Sequence, residues 1–179
     1  MIACVRPAVA GDVARIAERV RPADVAELWA SNRTTAADCM AFGMRYSDMA
    51  MTGVFDGEPV CMFGAVPASL LGMIGVPWMV GTTALDRLAV QKALLRESRG
   101  AVSEMLTRYD VLKNVVDDRN KAAQRWLRWL GFTVDAEVTP YGPDRMPFRG
   151  FKIRRIGDVW SDCAWHCFDW PHAVWRIPA

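Results

Sequence analysis

The 179-residue chain lacks a surplus of either charge: 22 basic side chains against 20 acidic ones leave a net +2. So small an excess gives no electrostatic footing for nucleic acid or an anionic membrane surface, and no nucleic-acid partner is expected. The chain also lacks a run of about eighteen apolar residues, so no membrane span is expected. Its first residues, Met-Ile-Ala-Cys-Val-Arg-Pro, hold no basic stretch followed by an apolar one, and no secretion leader is expected. Low-complexity segments are missing. Histidine is scarce, with only His166 and His172 near the C-terminus. The five cysteines form an odd set without a regular framework, as in a reducing compartment. Apolar material, in contrast, is plentiful: at 52% hydrophobic residues the chain can fill a core, and one domain is the expectation.

The stretch 114–132 carries the strongest local pattern. A short apolar strand over 112–116 enters a polar turn, and Asn120 then stands where a helix N-cap belongs. Ala123, Trp126, Leu127 and Leu130 fall at i, i+3, i+4 and i+7 and make one apolar stripe. Gly131 stands where a helix needs a left-handed residue, and Phe132 opens another strand.

Around this stretch the chain reads as follows. An edge strand over 2–9 is limited by Pro7. Helices over 10–48 lie on a sheet, with Pro22 at a first helical position and Thr34-Thr35 as a cap. Within them Val13, Ile16, Ala17 and Val20, then Val25, Leu28 and Trp29, then Ala37, Met40, Ala41 and Met44 read as inward faces. Three strands follow over 50–55, 59–66 and 74–82. The first two are joined by the tight-turn pair Asp56-Gly57, and Gly64 marks a bulge or a close approach. A long helix over 88–108, weakened by Gly100, leads to the strand and helix already described. Strands over 132–138 and 148–153 then flank a Pro/Gly turn over 140–147. The expected fold class is mixed α/β, a mostly antiparallel sheet flanked by helices.

This element order, with the Asn-capped helix ending in Leu130-Gly131-Phe132, resembles the GNAT acetyltransferases. A narrower resemblance is carried by Trp78-Met79-Val80-Gly81-Thr82, Met105-Leu106-Thr107-Arg108-Tyr109-Asp110, Leu112-Lys113-Asn114-Val115-Val116, Arg125-Trp126-Leu127 and Phe148-Arg149-Gly150-Phe151. This ordered set is similar to a GNAT-like internal virion or morphogenesis protein of short-tailed podophages. The resemblance covers about 77–153 and implies a GNAT-like domain over 1–156 followed by an extension over 157–179.

An active GNAT cradles the pyrophosphate of acetyl-CoA in a loop written Arg or Gln, two residues, Gly, one residue, Gly or Ala. Glycines let the backbone approach the anion, and the following helix supplies free N–H groups. The matching stretch over 81–90 has one glycine, Gly81, ahead of the loop proper, and Asp86 puts a negative charge where phosphates belong. The carried-over cofactor site therefore fails at its most informative element; only if the protein is active would Gly81, Thr82, Thr83 and Asn120 be its cofactor-binding residues. Tyr141 is the candidate proton donor if chemistry occurs, beside its reading as a turn tyrosine between Pro140 and Gly142. Glu58 reads as a solvated hairpin residue, and Tyr109 as a packing residue at a helix end.

From Gly157 the composition shifts. Trp160, Trp165, Trp170 and Trp175 recur every five residues, a spacing that fits neither one helix face nor one strand face. They are the candidate partner-binding residues, with packing back on the same domain as the equal alternative and partial disorder as a further one. Cys163, His166, Cys167 and His172 crowd into ten residues without the paired spacing of a zinc site, and no metal is expected. The basic residues of helix 88–108 alternate with Asp86, Glu97 and Glu104, as on an ordinary solvated face. A second basic cluster, Arg119, Lys121, Arg125 and Arg128, also reads as solvated, with a phosphate or an acidic surface as the alternative.

The first expectation is thus a phage GNAT-fold protein without catalysis and without a cofactor. It would bind other virion components in a multi-copy assembly, in the virion and, before assembly, in the host cytoplasm. The alternatives are an active N-acetyltransferase using acetyl-CoA and a phage protein that binds a host factor.

Overall fold

The computed structural model describes residues 3–69 and 72–155, and the tryptophan-rich stretch over 157–179, with Cys163, His166, Cys167 and His172, lies outside the described residues. The elements are β1 (Ala3–Pro7), α1 (Ala10–Ala17), α2 (Pro22–Asn32), α3 (Ala36–Tyr46), β2 (Met49–Phe55), β3 (Glu58–Pro67), β4 (Ile74–Gly81), a 3-10 turn (Thr83–Asp86), α4 (Leu88–Arg108), β5 (Val111–Asp117), α5 (Lys121–Trp129), β6 (Thr133–Val134), β7 (Thr139–Tyr141) and β8 (Met146–Arg154). One sheet runs in the order β1-β2-β3-β4-β5-β8-β6, with β7 added to β8. Every pairing is antiparallel except β4 with β5. This is the mixed α/β, mostly antiparallel arrangement expected from the element order.

The local signals act as their chemistry requires. Pro7 ends the edge strand β1, which among the described residues pairs only with β2. Asp56 and Gly57 both have positive φ, 49° and 81°, the backbone that lets a two-residue turn follow the twist of its strands. Gly64 is the close approach: a Cβ there would lie 2.4 Å from the Met49 carbonyl oxygen. The bulge lies instead between Gly53 and Val54. Thr35 caps α3 by accepting from the Asp38 N–H, and Pro22 opens α2. Asn120 caps α5 by accepting from the Ala123 N–H at 3.1 Å, and Gly131 has φ 95° after its end.

Two layers cover the sheet. Strand alternation turns Met62, Val66, Trp78 and Val80 toward Ile16 of α1 and Met40 of α3. On the opposite face Ala65, Leu112, Val116, Phe151 and Ile153 meet Val102, Met105 and Leu106 of α4 and Leu127 of α5. The stripe Ala123, Trp126, Leu127 and Leu130 faces this second core. Asp12 pins the first layer. Only 2% exposed, it takes two 2.7 Å bonds from the Arg6 guanidinium and one of 2.7 Å from the Thr52 hydroxyl. These hold its carboxyl down to about 2, against the upward pull of burial.

Four expectations need correction. Val25 and Trp29 stand half-exposed, so α2 does not bury its whole apolar face. Trp29 instead lies under the Arg33 guanidinium, 5.0 Å from its ring centre. Ala41 is exposed too. The strand expected over 132–138 is only β6, Thr133–Val134, and the turn expected over 140–147 contains β7, which pairs back on β8. Gly142 explains this folding back: with φ 74° it lets the hairpin reach the end of α2, where a Cβ would sit 2.0 Å from the Ala30 carbonyl oxygen.

Candidate functional site at the opening between β4 and β5

The parallel ladder of β4 and β5 is only two residues long, Ile74 with Val111 and Gly75 with Leu112. It stops for a chemical reason. Pro77 has no N–H to continue it, and its carbonyl oxygen is taken by the Asn114 side-chain amide at 2.9 Å. Asn114 is thus the apex of a wedge, and beyond it the strands part. Adjacent residues of an antiparallel strand face alternate neighbours. Since the Pro77 carbonyl points at β5, the Met79 N–H and carbonyl point the same way, into the opening.

The cleft measures about 430 Å³ and is lined by residues from both faces of the sheet. Glu27, Phe42 and Tyr141 line it on the side of α2 and α3, and Gln91, Leu94 and Arg125 on the side of α4 and α5. The β7–β8 hairpin walls one side, held to α2 by the Arg33–Asp144 ion pair.

Glu27 is the distinctive group. Its carboxylate accepts from the Asn120 side-chain amide at 2.9 Å, so Asn120 both caps α5 and ties α5 to α2. Burial pushes the Glu27 carboxyl up to about 7; the Asn120 bond opposes this, and nearby Asp24 and Asp117 add to it. Trp126 lines the same cleft, and its indole Nε1 is buried without a hydrogen-bond partner among the described residues.

The loop after β4 is engaged with its own protein. The Gly81 N–H donates to the Asp24 carboxylate at 2.8 Å, Thr82 to the Val60 carbonyl, Thr83 to that of Arg19, Leu85 to that of Thr82 and Arg87 to that of Ala84. A Cβ on Gly81 would lie 2.4 Å from Leu85, so this glycine serves packing against the turn. Thr82 is buried and donates its hydroxyl to the Val60 carbonyl. Thr83 is exposed. Of Gly81, Thr82, Thr83 and Asn120, only Asn120 reaches the cleft, together with Tyr141, whose ring lies 5.3 Å from that of Phe148.

An acetyl-CoA site of the kind the resemblance implies would meet a divided fit here. The wedge between the strands has room and an outward-facing backbone edge for a thioester arm. The loop that should hold the pyrophosphate has five of its N–H groups already bonded.

Other sequence candidates take structural places. Tyr109 is buried and donates to Asp48 at 2.6 Å. Glu58 is exposed and paired with Arg15 and Arg19. In the second basic cluster Arg119 pairs with Asp117 and Lys121 with Asp118, while Arg125 lines the cleft. Among the described residues no group of three metal-ligating side chains comes together, and no helix is long and apolar enough to cross a membrane. Sequence reasoning missed Glu27, Pro77 and Asn114. Pro77 inside an apolar strand pattern was the available signal, since a proline there must interrupt a ladder. Glu27, on an exposed-looking helix, offered none.

No protein-family model matches the sequence, and no curated protein matches it. Solved structures do match in shape. The chain is similar to a GNAT-family acetyltransferase from Streptococcus pneumoniae, at 13% identity over 86% of this chain and 99% of that one, with a TM-score of 0.59. It is similar to spermidine N-acetyltransferase from Vibrio cholerae in complex with CoA and spermine, at 10% identity over 85% and 95%, with a TM-score of 0.61. It is also similar to the aminoglycoside acetyltransferase AAC(6')-Ib in complex with Parmomycin and acetyl-CoA, at 17% identity over 91% and 100%, with a TM-score of 0.63. Sheet order, wedge and likeness together give the chain the GNAT acetyltransferase fold.

Proposed function

We propose that the protein transfers an acyl group from a coenzyme A thioester to an amine. The observation that carries this is a cleft at the β4–β5 wedge, lined from both faces of the sheet and holding the Glu27 carboxyl pushed up to about 7. Such a carboxyl is partly ionised at neutral pH and suited to take a proton from an ammonium acceptor. The Met79 N–H, turned into the opening, is suited to donate to an oxygen that gains charge. The amine then forms a C–N bond as the C–S bond breaks, the thiolate takes an N–H proton, and the products are an amide, a thiol and the proton on Glu27. Tyr141 in the same cleft is the candidate relay for that proton, giving its phenol proton to the thiolate and taking the N–H proton in return. Gln91 and Arg125 are the residues on the thioester side, and Glu27 and Phe42 those on the amine side. The similar proteins that act on spermidine and aminoglycosides support an amine acceptor.

A non-catalytic scaffold is the second reading, favoured by the bonded N–H groups of residues 81–87. In that case the protein would bind other virion components or a host factor. Calorimetric titration with acetyl-CoA separates the two. Micromolar binding, followed by amine acylation that rises with pH through about 7 and falls some 10²–10⁴-fold in Glu27→Gln, is expected of the enzyme. No binding at millimolar ligand leaves the scaffold.

A further inference from the structure

We infer that the acyl donor carries a chain longer than acetyl, about four to six carbons, bound in a second cavity beneath α4. This rests on the acyl-transfer reading. The cavity holds about 140 Å³ between α4 and the sheet. That is close to the size of an engineered apolar cavity of about 150 Å³ that takes benzene. It exists because facing positions are small: Gly53 and Cys61 on the strands, and Ala93, Ser98 and Ala101 on α4. A longer residue at Gly53 is barred by Cys61, whose sulfur would lie 2.8 Å from a Cβ there.

Its position links it to the transfer site. Met79, Leu94, Trp126 and Leu127 line both this cavity and the cleft, so a single layer of side chains separates them. The Trp126 indole N–H stands in that layer without a partner among the described residues. An unpaired buried donor is rare, and the ligand that would satisfy it needs an oxygen at the wall and hydrocarbon beyond it. A short acyl thioester has that pattern, with its carbonyl at the cleft and its tail in the cavity.

The test is calorimetric titration of the full-length protein with acetyl-, butyryl-, hexanoyl- and decanoyl-CoA. Affinity should rise about fourfold for each methylene buried, up to about six carbons, and then stop rising. Ala93→Leu and Ala101→Leu each fill the cavity from α4. Either should abolish the gain with chain length while leaving acetyl-CoA binding unchanged, and circular dichroism identifies the folded variant to use. Equal affinity for acetyl- and hexanoyl-CoA, or a chain-length gain that survives in a folded filled variant, overturns the inference and leaves acyl transfer standing. Failure of every thioester to bind overturns both.

Discussion

Asn120 shows how one side chain serves two ends. Its oxygen satisfies the first turn of α5, and its amide donates to the Glu27 carboxylate across the cleft. Asn120→Ala should therefore remove a cap worth about 1 kcal/mol, lowering the melting temperature by about 2–4 °C in a domain of this size. It should also change the Glu27 titration, because the bond that favours the charged carboxylate is gone. Asp117 and Asp118 hold neighbouring cations in place, and Lys121 and Arg149 keep the Asp118 carboxyl down at about 2. The basic look of this segment is thus largely neutralised within the protein. Glu27→Gln tests the opposite case. Its carboxyl is raised from 4.5 to about 7, so the folded state favours the proton. Stability from this group is present below pH 4.5 and lost as pH rises through 7. The Gln variant should match the parent protein near pH 4 and exceed it at pH 8, by on the order of 2 kcal/mol in urea unfolding.

At the scale of elements, the β7–β8 hairpin and α2 form one wall of the cleft through a backbone contact that only glycine allows. Gly142→Ala would put a Cβ 2.0 Å from the Ala30 carbonyl oxygen at φ 74°. We expect a loss of about 1–3 kcal/mol and faster amide exchange in β7, with the core around α4 unaffected. Exchange measured by residue decides this; uniform loss of protection would mean that the hairpin belongs to the main cooperative unit. The wedge between β4 and β5 is likewise made by one residue from each strand, Pro77 and Asn114. The opening follows from the absence of an N–H and its replacement by a side chain, and needs no ligand to hold it apart.

For the whole molecule, the pH profile sums these groups. Asp12 is lowered to about 2 from 3.8 by Arg6, so its contribution is present above pH 3.8 and lost as pH falls through 2. With Glu27 acting from the alkaline side, these two groups together place greatest stability near pH 4–5. Asp12→Asn should be less stable than the parent at pH 6 by about 2 kcal/mol, a difference that vanishes toward pH 2. Urea midpoints across pH 2–8 check the sign on both sides. A difference that persists at pH 2 would trace the effect to packing of α1 on the sheet rather than to charge.

The sequence by itself determined the elements whose causes are local. The Asn120 cap, the Asp56-Gly57 turn, the Gly131 helix end and the apolar stripe of α5 were all legible because each is decided by neighbours a few residues away. They were enough to place the order of strands and helices, and hence the fold. Tertiary structure alone decided the site. Burial takes water from the Glu27 carboxyl and raises it to about 7, while the amide of Asn120, 93 residues away in the chain, donates to it and holds that rise back. Gly81 looked like the remnant of a phosphate loop; in the fold its N–H belongs to Asp24 and its space to Leu85. A pKa and an open hydrogen-bond edge are properties of what surrounds a group, and that surrounding exists only when distant segments meet.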